Sequence, residues 1–186
     1  WKEGNLMLTT AEQAGTTAIR PTFQEMHYTF KYFYNVIGEE MPLDGIHKYI
    51  TAAHAAKALR RMHIGTMGYR DMLLYGTQFE GSSMSREFGV EVEPFEMLEM
   101  VQNLEKLSEE EVAEGVAYVK NNWHFQKDCD ESVILNGVRY ALAIGRKIKE
   151  RGWEAITLID VDGMKKLCGF PPAMVFMLLE HYYGVQ

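Results

Sequence analysis

Short apolar runs alternate along this chain with longer segments whose apolar residues recur every three or four positions. The first pattern is typical of buried strands, and the second is typical of amphipathic helices. Strands that alternate with helices form parallel sheets, because each parallel connection must cross the sheet and is usually a helix. We therefore predict an α/β protein with a three-layer, mainly parallel, Rossmann-like sheet covered by helices on both faces, plus partial flanking domain elements.

The same patterns give the individual elements. We predict strands at 5–8, 63–65, 90–94 and 154–160, with a polar loop at 9–21, and helices at 23–36, 44–61, 95–104 and 171–183. Two further helices have sequence signals at their ends. Ser108 opens a capping box with Glu111, and Asp130 caps a helix that Gly152 should stop.

Charge and composition exclude several classes of function. The net charge of -7 argues against a nucleic-acid partner, which needs clustered Lys and Arg. The chain contains no apolar run of about 18 residues and no signal-peptide pattern, so we expect no membrane association. Cys129 and Cys168 lie far apart without metal-ligand spacing, which is consistent with a reducing, cytoplasmic location.

Three stretches have side chains suited to chemistry. Residues 65–71 are either a tight turn or a strand-end loop that presents Tyr69 and Arg70 to a polar ligand. The predicted loop 9–21 is either structural or a source of Thr hydroxyls and of the Gln13 amide for a sugar. Asp160 and Asp162 end a predicted strand, where they either cap a turn or bind a hard divalent cation.

The stretch from 64 to 122 resembles the second domain of the L-fucose/L-arabinose isomerase family. The resemblance lies in the order of Gly65, Gly68, Arg70-Asp71 and Gly76, followed by Phe88-Gly89-Val90 and an acidic helix. Residues 153–171 resemble the strand and loop that enter the metal-bearing region of that family. The chain begins with Trp1 and ends directly after an apolar helix, so we expect an internal piece of a longer protein.

The resemblance implies an aldose–ketose isomerase that acts on a free sugar through an enediol and uses Mn²⁺ or another divalent cation. It implies that Asp160 is a metal ligand with a catalytic role, that Asp162 is an alternative ligand, and that Gln13, Tyr69 and Arg70 contact the sugar. It also implies a homo-oligomer with sites between subunits. Alternatives are a non-catalytic sugar-binding or regulatory relative, and an unrelated α/β interaction module.

The resemblance also divides the chain. It implies the end of an N-terminal α/β domain at 1–43, a bridging helix at 44–62, a second α/β domain at 63–152, and the start of a metal-bearing domain at 153–186.

Overall fold

The computed structural model describes the backbone of residues 5–36 and 38–185, and the side chains of residues 14–36 and 38–185. The chain divides into two compact units, residues 1–54 and 55–186. The domain boundaries implied by the resemblance stay a prediction.

The first unit differs from its sequence prediction. Helix α1 spans Asn5–Glu25, so the predicted strand at 5–8 and the predicted loop at 9–21 are wrong. The segment contains three Ala and two each of Leu, Glu and Gln, which favour helix, but its most frequent residue is Thr, which does not. The predicted helix at 23–36 is also wrong, because α1 ends at Glu25 and His27 adopts a left-handed φ of 55°. The Tyr, Phe and Thr residues that follow have lower helix propensity.

Helix α2 spans Leu43–Leu59 and starts within the first unit. In that unit the hydroxyl of Tyr49 donates a hydrogen bond to the carbonyl of Thr29. Besides the end of α2 and two short turns of 3-10 and π helix, the described residues of the second unit form three strands and five α-helices: β1 His63–Met67, α3 Gly81–Phe88, β2 Glu91–Phe95, α4 Met97–Leu104, α5 Glu109–Asn122, α6 Glu131–Arg151, β3 Ala155–Leu158 and α7 Ala173–Tyr183.

The three strands form one parallel sheet in the order β2-β1-β3. The α/β class and the three strands predicted in this unit are thus confirmed. Because successive side chains point to opposite faces, Met67, Phe95 and Leu158 share the face that forms the core with α4 to α7. The second predicted helical layer stays a prediction.

A glycine in the central strand permits close packing on the core face. Gly65 lies within β1, and a Cβ atom there would be 2.4 Å from the buried indole of Trp153. The Trp153 indole N–H donates to the Glu93 carboxylate at 3.0 Å. Gly65 is therefore a packing residue of the strand, whereas Gly68, with a φ of 88°, forms the turn that follows.

The helix ends predicted from sequence are confirmed. The Ser108 hydroxyl accepts from the backbone N–H of Glu111, and the Glu111 carboxylate accepts from the backbone N–H of Ser108. Asp130 accepts from the backbone N–H of Ser132 at the start of α6, and Gly152 ends α6 with a φ of 69°. These caps fix where α5 and α6 begin and hence how the chain returns to β3.

Candidate functional site

A cavity of about 550 Å³ lies at the carboxyl end of the sheet. Its walls come from all three strands and from the loops that follow β1 and β3. In the order β2-β1-β3, strand β2 is added on one side of β1, and β3 is later added on the other side. The direction in which strands are added therefore reverses at the central strand. Such a reversal is where open α/β sheets usually bind ligands. The lining residues are Thr66, Met67, Gly68, Tyr69, Asp71, Thr77, Gln78, Phe79, Val92, Pro94, Thr157, Leu158 and Ile159.

The polar groups of this cavity are mainly hydroxyls. Thr66 and Thr157 lie opposite each other in the sheet register and therefore on the same face. Tyr69 and the Gln78 amide add further polar groups. The Thr77 hydroxyl already donates to the carbonyl of Leu74 and accepts the backbone N–H of Asp71. No Lys, Arg or His is among the described lining residues, so the cavity offers hydrogen bonds to a ligand but no cation to a phosphate.

A carboxylate holds the two loops of the cavity together. Asp71, in the loop after β1, accepts the backbone N–H of Val161 at 3.1 Å and that of Asp162 at 2.7 Å. Both donors belong to a single π-helical turn, Asp160–Lys165, that follows β3. Bonds from neutral donors to an ionised carboxylate are stronger than neutral pairs. Asp71 is thus the main link between the loops on either side of the strand-order reversal.

Asp162 completes this link from the opposite side. Its carboxylate accepts the backbone N–H of Met72 and binds the ammonium of Lys166, one turn further along the chain. The hydrogen bond from Lys166 and, after it, the N–H of Met72 lower the pKa of the Asp162 carboxyl below its usual value. Asp160 begins the π-helical turn with an exposed side chain.

Tyr69 lies at the rim of the cavity with 71% of its surface exposed. Its hydroxyl donates to the Glu96 carboxylate at 2.8 Å. This hydrogen bond and the negative charge of Glu96 raise the pKa of the Tyr69 phenol. The guanidinium of Arg70 instead lies 4.8 Å from the centre of the Tyr75 ring, a cation–π contact outside the cavity lining.

The loop after Tyr69 contains strained backbone. Met72 and Leu73 adopt φ values of 50° and 60°, and neither residue is a glycine. Bulky side chains rarely adopt this left-handed region, which costs on the order of 1–2 kcal/mol per residue. Leu73 is also 74% exposed. The backbone N–H of Met72 donates to the carboxylates of both Asp71 and Asp162, which holds the start of the strained segment in place.

The structure thus brings Tyr69 and Asp162 to the same edge of the sheet, with Asp160 beside Asp162. The side chain of Gln13 lies outside the described residues. Sequence reasoning did not predict the bridging role of Asp71 or the contact between Tyr69 and Glu96. The sequence shows that Asp71 lies three residues after Gly68, in a loop that leaves a strand, but this position does not indicate its partner.

No group of three or more His, Cys, Asp or Glu side chains suited to a metal ion occurs among the described residues. Within that part of the chain no helix is both long and apolar enough to cross a membrane. The chain matches no family model. It also matches no curated protein.

Proposed function

We propose that this chain provides part of the sugar-binding region of a metal-dependent aldose–ketose isomerase of the L-fucose/L-arabinose type. The observation that carries the proposal is the cavity at the strand-order reversal, whose polar lining is hydroxyls, an amide and a carboxylate. A free sugar is a neutral polyol, and such groups pair with its hydroxyls. The missing cations in this lining favour a free sugar over a sugar phosphate.

The donors near the cavity suit the proposed metal chemically but do not complete its coordination. Mn²⁺ prefers carboxylate and other oxygen ligands. Asp160 has an exposed carboxylate, whereas the Asp162 carboxylate already binds Lys166 and the N–H of Met72. Asp160 is therefore the better ligand of the two, and further ligands have to come from outside the described residues.

Isomerisation moves a proton between two adjacent sugar carbons through an enediol. When bound, a divalent cation polarises the oxygens on those carbons and stabilises negative charge on them. The described residues would orient the substrate: Thr66 and Thr157 at the floor of the cavity, with Tyr69 at its rim. Asp71 fixes the loops that place these groups, and such preorganisation lowers the cost of aligning the sugar.

The remaining parts of the expected architecture belong to this proposal. We propose that a second helical layer lies over the sheet face opposite α4 to α7 and leaves the cavity open at the carboxyl end of the strands, and that the complete site lies between subunits in the cytoplasm. Exposure supports this in part, since Pro94 and Thr157 are exposed on that face. Parallel sheets usually have both faces covered.

Binding can be tested on this chain directly. We expect L-arabinose or L-fucose, titrated by NMR, to shift the amide signals of residues 66–69 and 157–159. The variant Thr157→Val removes one hydroxyl without changing shape, and one lost neutral hydrogen bond should weaken binding about 3- to 10-fold. Thr51→Val, in helix α2 and outside the cavity, is the matched control. Normal affinity in Thr157→Val would contradict the proposed cavity.

Catalysis can be tested in the protein that carries this chain. We expect Mn²⁺-dependent conversion of a free aldose to its ketose, and we expect Asp160→Asn to abolish it. Asp128→Asn, which changes another exposed aspartate, should leave turnover unchanged. If Asp160→Asn retains normal turnover, Asp160 is not the metal ligand.

Sugar binding without catalysis is the second candidate. It is favoured by the ion pair of Asp162 with Lys166. Of the two aspartates Asp160 and Asp162, only Asp160 then has a carboxylate without a described partner. In that case the sugar would shift the same amide signals, while no ketose would form at any Mn²⁺ concentration.

A further inference from the structure

A second cavity, of about 730 Å³, lies among helices of the same unit and shares no residue with the cavity at the sheet edge. Helix α5 forms one long wall of this groove. Leu104 and Leu107 contribute from the end of α4 and the loop after it, and Leu135 and Arg139 contribute from α6. Ser108, directly before α5, also lines the groove; Ser108 and Arg139 are polar, and the three leucines are apolar. We call this cavity the α5 groove.

The α5 wall has a regular composition. Six residues of α5 line the groove, and the last five follow the first at three, four, seven, eight and eleven positions. This spacing places all six on one face of the helix. The residues at the two ends of this face have opposite charges, and between them lie two Val-Ala pairs. In order they are Glu109, Val112, Ala113, Val116, Ala117 and Lys120.

The charges at the two ends are accessible. Glu109 is exposed, and its side chain forms no hydrogen bond or ion pair among the described residues. Lys120 is 44% exposed in its side chain and contacts Glu131 of α6, which holds its ammonium near the far end of the face. An acidic group and a basic group therefore stand about 16 Å apart along the helix, given a rise of about 1.5 Å per residue.

We propose that the α5 groove binds the α5 helix of a second copy of this chain, in antiparallel orientation about a two-fold axis. This pairing goes beyond the proposed function and does not depend on it. It places Glu109 opposite Lys120 of the partner subunit, and by symmetry Lys120 opposite Glu109 of the partner subunit. A two-fold interface requires such self-complementarity, since the same surface contributes both halves.

The same register matches shapes as well as charges. With Glu109 opposite Lys120 of the partner subunit, Val112 falls opposite Ala117 of the partner subunit and Ala113 falls opposite Val116 of the partner subunit. Each branched side chain thus meets an alanine, which lets the two helices approach closely and interdigitate. In a parallel arrangement, Glu109 would instead lie opposite Glu109 of the partner subunit, and like charges would repel.

Charge exchange on α5 tests the pairing. We expect the chain to form a dimer in sedimentation equilibrium, and Glu109→Lys or Lys120→Glu alone to weaken it. Across the interface, each variant replaces two attractive pairs by two repulsive ones, which should raise the dimer Kd at least about tenfold. Lys120→Glu also breaks the ion pair with Glu131 of the same chain, so the mixture of the two variants is the measurement that isolates the contact between subunits. An equimolar mixture of the two variants should form a heterodimer of near-normal affinity, because both contacts are again between opposite charges.

The matched control is Glu110→Lys, which makes the same charge change on an exposed neighbour outside the groove lining. It should leave the dimer Kd within about threefold of normal. Circular dichroism verifies that each variant is folded. None of the three substitutions replaces Ser108 or Glu111, which form the capping box of α5. Three results would overturn the proposal: the unmodified chain is a monomer, both single variants have an unchanged dimer Kd, or the mixture of the two variants stays monomeric.

Discussion

In the second unit, single carboxylates hold loops together by accepting backbone N–H groups. Asp71 is half-buried and accepts two backbone N–H groups from the segment after β3. In Asp71→Ala both donors would lose their partner. We expect the free energy of unfolding to fall by about 2 kcal/mol, the range typical of hydrogen bonds to a charged group.

Urea unfolding of Asp71→Ala measures this loss. Asp128→Ala is the control, because Asp128 is exposed and has no described partner. Equal unfolding midpoints for the two variants would show that Asp71 does not connect the loops.

Glu80 provides a pH-dependent contribution at the start of α3. Hydrogen bonds from Ser83 and then Ser82 lower the pKa of the Glu80 carboxyl from 4.5 to about 2. Because the folded pKa lies below the unfolded value, the stabilisation is complete above pH 4.5. It is lost as the pH falls from about 4.5 towards 2.

We therefore expect Glu80→Gln to remove part of the acid sensitivity of stability in that pH range. Urea midpoints measured between pH 2 and pH 6 would detect the change. Glu91→Gln, at an exposed carboxylate that accepts no described hydrogen bond, should retain the full pH dependence. Parallel pH curves for Glu80→Gln and the unmodified chain would contradict this account.

At the scale of elements, glycines determine how closely α6 packs against its neighbours. A Cβ at Gly115 of α5 would lie 2.4 Å from Val138 of α6, which is fully buried and rigid at its branched carbon. A Cβ at Gly137 of α6 would lie 2.4 Å from the sulfur of Met174 in α7, whose side chain is flexible. The two contacts are equally short but differ in how easily the neighbour moves.

Gly115→Ala should therefore destabilise the chain by about 1–3 kcal/mol through overpacking. Gly137→Ala should cost less than about 1 kcal/mol, because Met174 can move and alanine favours helix. Thermal unfolding of the two variants compares them directly. A larger loss for Gly137→Ala would show that the α6–α7 contact is the more rigid one.

The sequence predicted elements best where several local signals agreed. In α6, the Asp130 cap, the apolar periodicity and Gly152 all indicated the same helix. In α1, a short apolar run was the only signal for a strand, and such runs do not distinguish strand from helix. The composition of the 21-residue segment did not decide the question, since it contains ten Ala, Leu, Met, Glu and Gln residues, which favour helix, but also five Thr, Gly15 and Pro21.

For the whole molecule, the parallel α/β class followed from the order of elements, but the candidate site did not. Asp71 and Asp162 are about ninety positions apart in the chain, and no local pattern predicts that one carboxylate binds the backbone beside the other. The left-handed φ values of Met72 and Leu73 could not be predicted from the sequence either, because these distant contacts impose them. Tertiary contacts, rather than propensity, build this edge of the sheet.

The position of β1 at the centre of the sheet also has a consequence for biosynthesis. Ile64 pairs with Ala155, so one side of β1 has no neighbour until the ribosome has added roughly ninety more residues. At about 5–20 residues per second this takes several seconds. During that interval an exposed strand edge can pair with another nascent chain. We therefore expect yield in cells to depend on translation speed between α4 and β3.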